Sequence, residues 1–515
     1  MRRIEIFKNV SSSWFGLGVN ILVGIFLSPF ILHRLGDTAY GIWILIFSVT
    51  GYYGLFDLGI RSSVVRYVST YTATADHEAL AKLINTSLAT YTAIGAVAMI
   101  VTLVCSLFVD RLFRIPGDFL VTARLLFLLV GTVVAIGFPG GVFGGILEGL
   151  QRFYFVNLTN VVSTLLRATL IVLALHHGYG LLTVAFITVV LPLLSSLARA
   201  SIALRVLPIR FGWRYVDRSA FREIANYSAV SFMLMIGYKL RYKTDEIVIG
   251  TFLSVTAITY FSIGDRLLDY AAELVGSLAQ IFVPMAGQSH AKGDTNRLRT
   301  LWIAGNRACA MIIFPIGTIL ILLGKSIITA WVGEKYVSAS YPVLVVLAVP
   351  MMFMLAQGAS SRILYGMAKH RPLAWVTLME SVANLILSIV LIRPFGIVGD
   401  AFGTAIPLMC TALLFMPRHM CRVLGVRIGT YLREAYALPV LLTLPLAATL
   451  LLERRWFVAR TYLELGLQIL IGFLPYGLGL LWAFWKNRLW QVPQLSSAPP
   501  DEVAVAFIDT YQEEP

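Results

Sequence analysis

Ile146-Leu147-Glu148-Gly149 recurs 217 residues later as Ile363-Leu364-Tyr365-Gly366, and Gly180 followed by Ala185-Phe186 recurs at an offset of 216 as Gly396 followed by Ala401-Phe402. Two matches at nearly one offset mark an internal repeat, so the fold follows from what one copy is. Around both matches lie apolar runs of about 20 residues, each long enough to cross a hydrocarbon core of roughly 30 Å as a helix. The alternating ten-residue segments of a membrane β-barrel are missing. The offset spans an even number of helices, so the copies share one orientation and should be related by an axis along the membrane normal.

With 58% hydrophobic and 13% charged residues in 515, the chain reads as an all-α polytopic membrane protein. About fourteen transmembrane helices fit its length, including runs near 40–65, 119–147, 225–251, 255–286, 373–392 and 398–417. Two six-helix lobes are expected, an N-lobe at 1–204 and a C-lobe at 225–420, joined by a cytoplasmic linker at 205–224. Two further helices fall outside the repeat at 421–490, and 491–515 has the composition of a disordered cytoplasmic tail. The linker carries Arg210, Arg214, Arg218 and Arg222 with Phe211, Trp213, Tyr215 and Phe221 between them, an amphipathic pattern suited to the interface. A plain connection between lobes is preferred there over a partner-binding site.

The net charge of +14 is carried by Lys and Arg gathered in alternate connections. That is the positive-inside pattern, which places both termini in the cytoplasm and argues against nucleic acid as the partner. Met1-Arg2-Arg3 and Lys8 lead into a first span expected to be retained as a signal anchor. Cys105, Cys309, Cys410 and Cys421 lie in or beside apolar spans without metal-like spacing and read as packing residues.

Charge inside spans is costly and normally faces protein or water. Tyr238-Lys239-Leu240-Arg241-Tyr242-Lys243-Thr244-Asp245-Glu246 holds five charges in one such span, and the next carries Asp265, Arg266, Asp269 and Glu273. Lys239 and Lys243 share one helical face, as do Asp265, Asp269 and Glu273. Two readings compete: a cationic cavity wall, or internal ion pairs such as Arg241 with Asp245 at i,i+4. Arginine grips phosphate with two parallel bonds, so Arg241 and Arg266 suit a diphosphate. Asp57, Arg61 and Arg66 in the second span and Arg167 in the fifth extend the trail. Arg241 is read as facing the cavity, and for the others the two readings stay level.

Other chemistry finds little support. All seven histidines sit in connections or at span ends, which disfavours a buried metal or histidine catalyst, and no cofactor is expected. Leu323-Gly324-Lys325-Ser326 lacks the leading glycine of a phosphate-binding loop, having Ile319 instead. The glycines of Gly140-Gly141-Val142-Phe143-Gly144-Gly145-Ile146-Leu147-Glu148-Gly149 read as a close-packing stripe. No sizeable outward loop carries paired carboxylates, so transport is expected rather than catalysis.

Leu35-Gly36-Asp37-Thr38-Ala39-Tyr40-Gly41-Ile42-Trp43, Gly51-Tyr52-Tyr53-Gly54-Leu55-Phe56-Asp57-Leu58-Gly59, Val65-Arg66-Tyr67, Thr244-Asp245-Glu246-Ile247-Val248-Ile249-Gly250 and Ala330-Trp331-Val332-Gly333 together resemble the polysaccharide transporter family of oligosaccharide-lipid flippases, in the superfamily that includes MATE drug exporters. The resemblance implies a two-lobed protein of the bacterial cytoplasmic (inner) membrane. It would move an undecaprenyl-diphosphate-linked oligosaccharide from the cytoplasmic to the outer leaflet by alternating access. The implied partners are the lipid-linked glycan, membrane lipids and, as a candidate, glycan polymerase machinery. The fourteen spans are similar to those of the lipid II flippases, but the first span lacks the arginine-rich signature of that group. A cation-coupled exporter of small amphipathic molecules is the other transport reading, with Asp57 or Asp265 as its coupling carboxylate.

Overall fold

A computed structural model of the chain describes residues 3–225, 244–456, 459 and 461–486. The described residues are helical with no strand. In the first copy these are α1 (Arg3–Leu35), α2 (Asp37–Gly51), α3 (Ile60–Ala73), α4 (His77–Leu107), α5 (Val109–Leu112), α6 (Leu120–Gly137), α7 (Gly140–Gly149), α8 (Phe153–His176) and α9 (Leu181–Val206). In the second they are α10 (Asp245–Phe252), α11 (Val255–Ala279), α12 (Phe282–Ala291), α13 (Thr295–Trp331), α14 (Val337–Ala356), α15 (Gly358–Gly366), α16 (Arg371–Cys410) and α17 (Met416–Leu424), followed by α18 (Ile428–Trp456) and α19 (Tyr462–Trp485).

Among the described residues, 12 segments are long and apolar enough to span a membrane. One of them, Arg371–Leu424, is 54 residues long and breaks at Gly396, where φ is 58° and ψ −142°. It therefore holds both expected spans, 373–392 and 398–417, while the expected span at 225–251 lies largely outside the described residues. The protein is a multi-pass membrane protein whose span helices expose large apolar side chains such as Leu103, Ile136, Leu166 and Leu441. Such side chains would be costly in water and are at home in lipid.

The repeat is visible at the level of single turns. Asp76 caps α4 by accepting from the Ala79 N–H, and Asp294 caps α13 by accepting from the Arg297 N–H, each at 2.9 Å. After α7 the chain turns through Gln151 at φ 58°, and after α15 through Ala368 at φ 57°. In both turns the next N–H reaches back to the second residue of the quoted motif: Arg152 to the Leu147 carbonyl at 2.8 Å, and Lys369 to the Leu364 carbonyl at 2.9 Å. The motif's glycine has one job in both copies. A Cβ on Gly149 would lie 2.8 Å from the Val65 carbonyl oxygen, and one on Gly366 would lie 2.5 Å from that of Val283. Glycine thus lets α7 close on α3 and α15 close on α12.

By packing, the chain forms two compact units: residues 1–263 with 377–403, and residues 264–376 with 404–515. In the first, α1 packs on α8, α4 on α6, and α7 on α3 and α9. Residues 244–263 join it through α2. A Cβ on Gly41 would overlap the Val255 carbonyl, the Thr259 hydroxyl donates to the Asp37 carbonyl at 2.7 Å, and Tyr52 and Thr244 hydroxyls meet at 2.7 Å. In the second unit, α13 is the central post, packed against α14, α15, α18 and α19.

The two helices beyond the repeat are fastened to that post by buried polar groups, α19 through the Tyr476 hydroxyl, which donates to the Met311 carbonyl at 2.5 Å, and α18 through a larger set. Trp302 stacks on Tyr431 at 4.1 Å. The Asn306 amide donates to the Ser360 and Tyr431 hydroxyls at 2.8 and 3.1 Å. Arg307, 4% exposed, donates to the Glu434 carbonyl at 2.8 Å and pairs with the Glu434 carboxylate at 3.7 Å.

Candidate functional site

Inside the first unit, the second span is interrupted after Asp57. Leu58 (φ 50°) and Gly59 (φ 78°) take left-handed conformations, and α3 starts afresh at Ile60. An interrupted helix frees backbone groups and projects side chains that a continuous helix would bury along its own surface. At this break Asp57 accepts from the Tyr91 hydroxyl and from the Arg61 backbone N–H. One turn on, Arg61 reaches Glu148 of the repeat motif with its Nη2 2.5 Å from Oε1 and its Nε 3.4 Å from Oε2. Gly144 lies beside it, for a Cβ there would stand in ordinary contact with the guanidinium at 3.5 Å. Arg199 of α9 lies within electrostatic reach of both Arg61 and Glu148 and donates to Ser196 at 2.7 Å.

Two arginines and two carboxylates are therefore gathered where α3, α4, α7 and α9 meet. The pairing is not closed to outside groups: the Arg61 side chain remains 41% exposed and that of Glu148 20%. An accessible guanidinium tethered by a single carboxylate can exchange that partner for another anion, with its flat fork matched to phosphate or carboxylate.

A second set of acids in the same unit is buried. Asp245 is 8%, Glu246 6%, Glu380 6% and Asp400 0% exposed, and each takes part in further interactions. An ionised carboxylate so deep must be compensated by cations or hydrogen bonds, or else be neutral. Among the described residues no group of three or more His, Cys, Asp or Glu is placed to hold a metal ion.

Of the residues singled out from the sequence, Asp57 and Arg61 come together, Asp245 is buried, and Arg167 is half-buried on α8. Arg66 lies over the Tyr67 ring at 5.4 Å. In the second unit Arg266 approaches Asp269 at 3.8 Å with its side chain 49% exposed, and Asp265 is half-buried on the same helix. Lys239, Arg241 and Lys243 lie outside the described residues. The sequence reading passed over Glu148, Arg199, Glu380 and Asp400. Each is an ionisable residue inside an apolar span, which is itself a signal of function. Glu148 had a second signal, for Tyr365 takes its place in the other copy.

A family model described as polysaccharide biosynthesis protein matches residues 31–341. The chain is 23% identical to an uncharacterised membrane protein, EpsK, of Bacillus subtilis over 82% of this chain and 85% of that one. It is 20% identical to a putative O-antigen transporter of Shigella flexneri over 82% of this chain and 99% of that one. A probable low-salt glycan biosynthesis flippase of Haloferax volcanii matches 38% of the chain, and 41% of its own length, at 24% identity. In fold the chain is similar to a lipid II flippase in an inward closed conformation, with a TM-score of 0.72 at 17% identity over 94% of this chain and 99% of that one. An inward-facing MATE-family multidrug transporter gives 0.58 at 16% identity over 80% and 94%.

Proposed function

We propose, from the fact that the chain belongs to the polysaccharide biosynthesis protein family, that it is a flippase for a lipid-linked glycan. Its substrate would be an undecaprenyl-diphosphate-linked oligosaccharide, carried from the cytoplasmic to the outer leaflet of a bacterial inner membrane. The termini would be cytoplasmic, as the placement of Lys and Arg suggests. The observation that carries this reading is the Arg61–Glu148 pair at the broken second span. A diphosphate is the anion best able to displace Glu148, because it offers two acceptors to the guanidinium and carries more charge. Arg199 beside the pair adds a second cation in reach of the same anion. Arg167 and Arg266, with Lys239, Arg241 and Lys243, would then serve the headgroup at other stages. Alternating access of lobes 1–204 and 225–420 would carry it across. The sugars would travel hydrated while the polyprenyl chain stays in lipid.

The test is transport of a fluorescent undecaprenyl-diphosphate oligosaccharide in proteoliposomes. Hydrogen bonds to charged groups contribute about 1.5–3 kcal/mol, so Arg61→Ala should lower transport by about 10- to 100-fold, with Arg61→Lys intermediate. Parent-like transport by Arg61→Ala, or no transport by the parent, defeats the proposal. The likeness in fold over 94% of the chain favours one second reading, a lipid II-type flippase. Preference for lipid II over the oligosaccharide lipid in the same vesicles would select it.

A further inference from the structure

The connection between the two copies is built as a rigid strap. Buried Asn85 of α4 spends both ends of its amide on it, donating to the Arg210 carbonyl at 2.8 Å and accepting from the Gly212 N–H at 3.1 Å. Thr86, 2% exposed, accepts from the Asp217 N–H at 3.0 Å. The Ser63 hydroxyl donates to the Ile224 carbonyl at 3.3 Å, and the Tyr71 hydroxyl donates to Glu223 at 2.9 Å. Leu207, Ile209 and Ile224 pack into the core of the first unit. A mere tether would not need five such fastenings.

What the strap holds outward is aromatic and basic. Trp213 is 86% exposed, Phe211 52% and Phe221 49%. An open cavity of about 660 Å³ is lined, among the described residues, by Arg218, Ser219, Arg222 and Glu223. The nearby acids are already engaged. Glu223 holds Tyr71, and Asp217 accepts from the Ser219 and Ala220 N–H groups. No acid among the described residues pairs with Arg218 or Arg222. The strap's depth follows from α4, whose 31 residues make a rod of about 46 Å, while the hydrocarbon core is roughly 30 Å thick. Asn85 and Thr86, nine to ten residues into α4, therefore stand near the edge of the core.

We propose that this strap is a binding site for anionic phospholipid headgroups, with Arg218 and Arg222 seating the phosphate and Trp213 anchoring at headgroup level. Exposed tryptophan favours the interface, and arginine beside an anionic leaflet adds attraction that falls off within a Debye length. An acidic soluble partner would satisfy the arginines but leave Trp213, Phe211 and Phe221 at lipid level without a role. The site is separate from Arg61 and Glu148, so its failure leaves the flippase reading untouched.

The test uses the full chain, delipidated in detergent and titrated with phosphatidylglycerol or phosphatidylcholine, with adducts counted by native mass spectrometry. Phosphatidylglycerol should be retained in preference. Arg218→Ala with Arg222→Ala should weaken that retention about 30-fold, whereas Arg297→Ala with Arg454→Ala, exposed arginines elsewhere, should not change it. If the double variant is misfolded by size-exclusion profile, the second readout decides. In nanodiscs containing brominated phosphatidylglycerol, the Trp213→Phe variant should lose a quenched component of the parent's fluorescence. Equal retention of the two lipids, a folded double variant with parent affinity, or no quenching assignable to Trp213 would overturn the proposal.

Discussion

Glu148 and Tyr365 stand at the same place in the two copies, and only the first has an arginine to hold. Glu148→Gln removes the anion from a guanidinium at membrane depth. Because Arg61 is 41% exposed, solvent softens the loss to about 1–2 kcal/mol, a smaller figure than for a fully buried pair. It should appear as a lowered melting temperature in detergent. Next to these residues the motif's glycines offer a cleaner steric contrast. Gly149→Ala and Gly366→Ala push a methyl into the Val65 and Val283 carbonyls and should cost about 1–3 kcal/mol. Gly477→Ala, with nothing within 4 Å, should be neutral or stabilise by up to about 1 kcal/mol. Equal melting temperatures across the three would refute the close-approach argument. The glycine stripe was legible because small residues at four-residue spacing have one common use in lipid. The Arg61–Glu148 pairing was not, since 87 residues separate the partners and only packing brings them together.

At the scale of elements, the strap and the broken spans diverge from their sequence expectation. Arg210, Arg214, Arg218 and Arg222 stand at a four-residue spacing that as one helix would lie at the interface, but the chain runs extended through Gly212, makes one 3-10 turn at Trp213–Tyr215 and enters an α-helix only at Arg218. Asn85 and Thr86 explain this: they capture backbone groups of residues 210, 212 and 217 that a helix would have used internally. Asn85→Leu should orphan the Arg210 carbonyl and the Gly212 N–H, and hydrogen exchange across 207–217 should quicken about 5- to 150-fold for a loss of about 1–3 kcal/mol. Unchanged exchange would mean the strap is held by its apolar contacts alone. At the helix start, the Ser219 hydroxyl and the Ala220 N–H hold the Asp217 carboxyl below its ordinary value of 3.8. A lowered folded value means that its contribution is present above the ordinary carboxylate range and is lost as pH falls through the lowered value. Protection of the 219 and 220 amides, read by exchange, should therefore persist from neutral pH to about 5 and decline only in stronger acid. Loss of protection near pH 6 would show that another group governs this turn.

Over the whole molecule, α13 organises the second unit, and its polar face receives the two helices outside the repeat. Nothing in the apolar sequence of 421–490 indicates its docking place, because the decisive partners, Asn306, Arg307 and Trp302, lie more than a hundred residues earlier. Arg307→Ala strips the Glu434 carbonyl of its donor and leaves the Glu434 carboxylate to the exposed Arg433 alone, at 3.4 Å. A loss of about 2–3 kcal/mol is expected, seen as earlier thermal unfolding and faster proteolysis in the 425–427 connection. Wild-type protease resistance would show that the stack of Trp302 on Tyr431 suffices.

The family followed from the resemblance of its motifs, while the membrane class, the repeat and the approximate span number were determined by the sequence itself, because all three rest on hydrophobic run length, spacing and composition. Local periodicity along one chain expresses these fully. Only the tertiary structure decided that residues 244–263 pack with the first unit, that Arg61 is held by Glu148, and that α18 and α19 are bolted to α13 through buried polar groups. In lipid all apolar faces are nearly equivalent, so partner choice falls to close backbone approach and to a few hydrogen bonds between residues far apart in sequence. Such contacts leave no periodic trace.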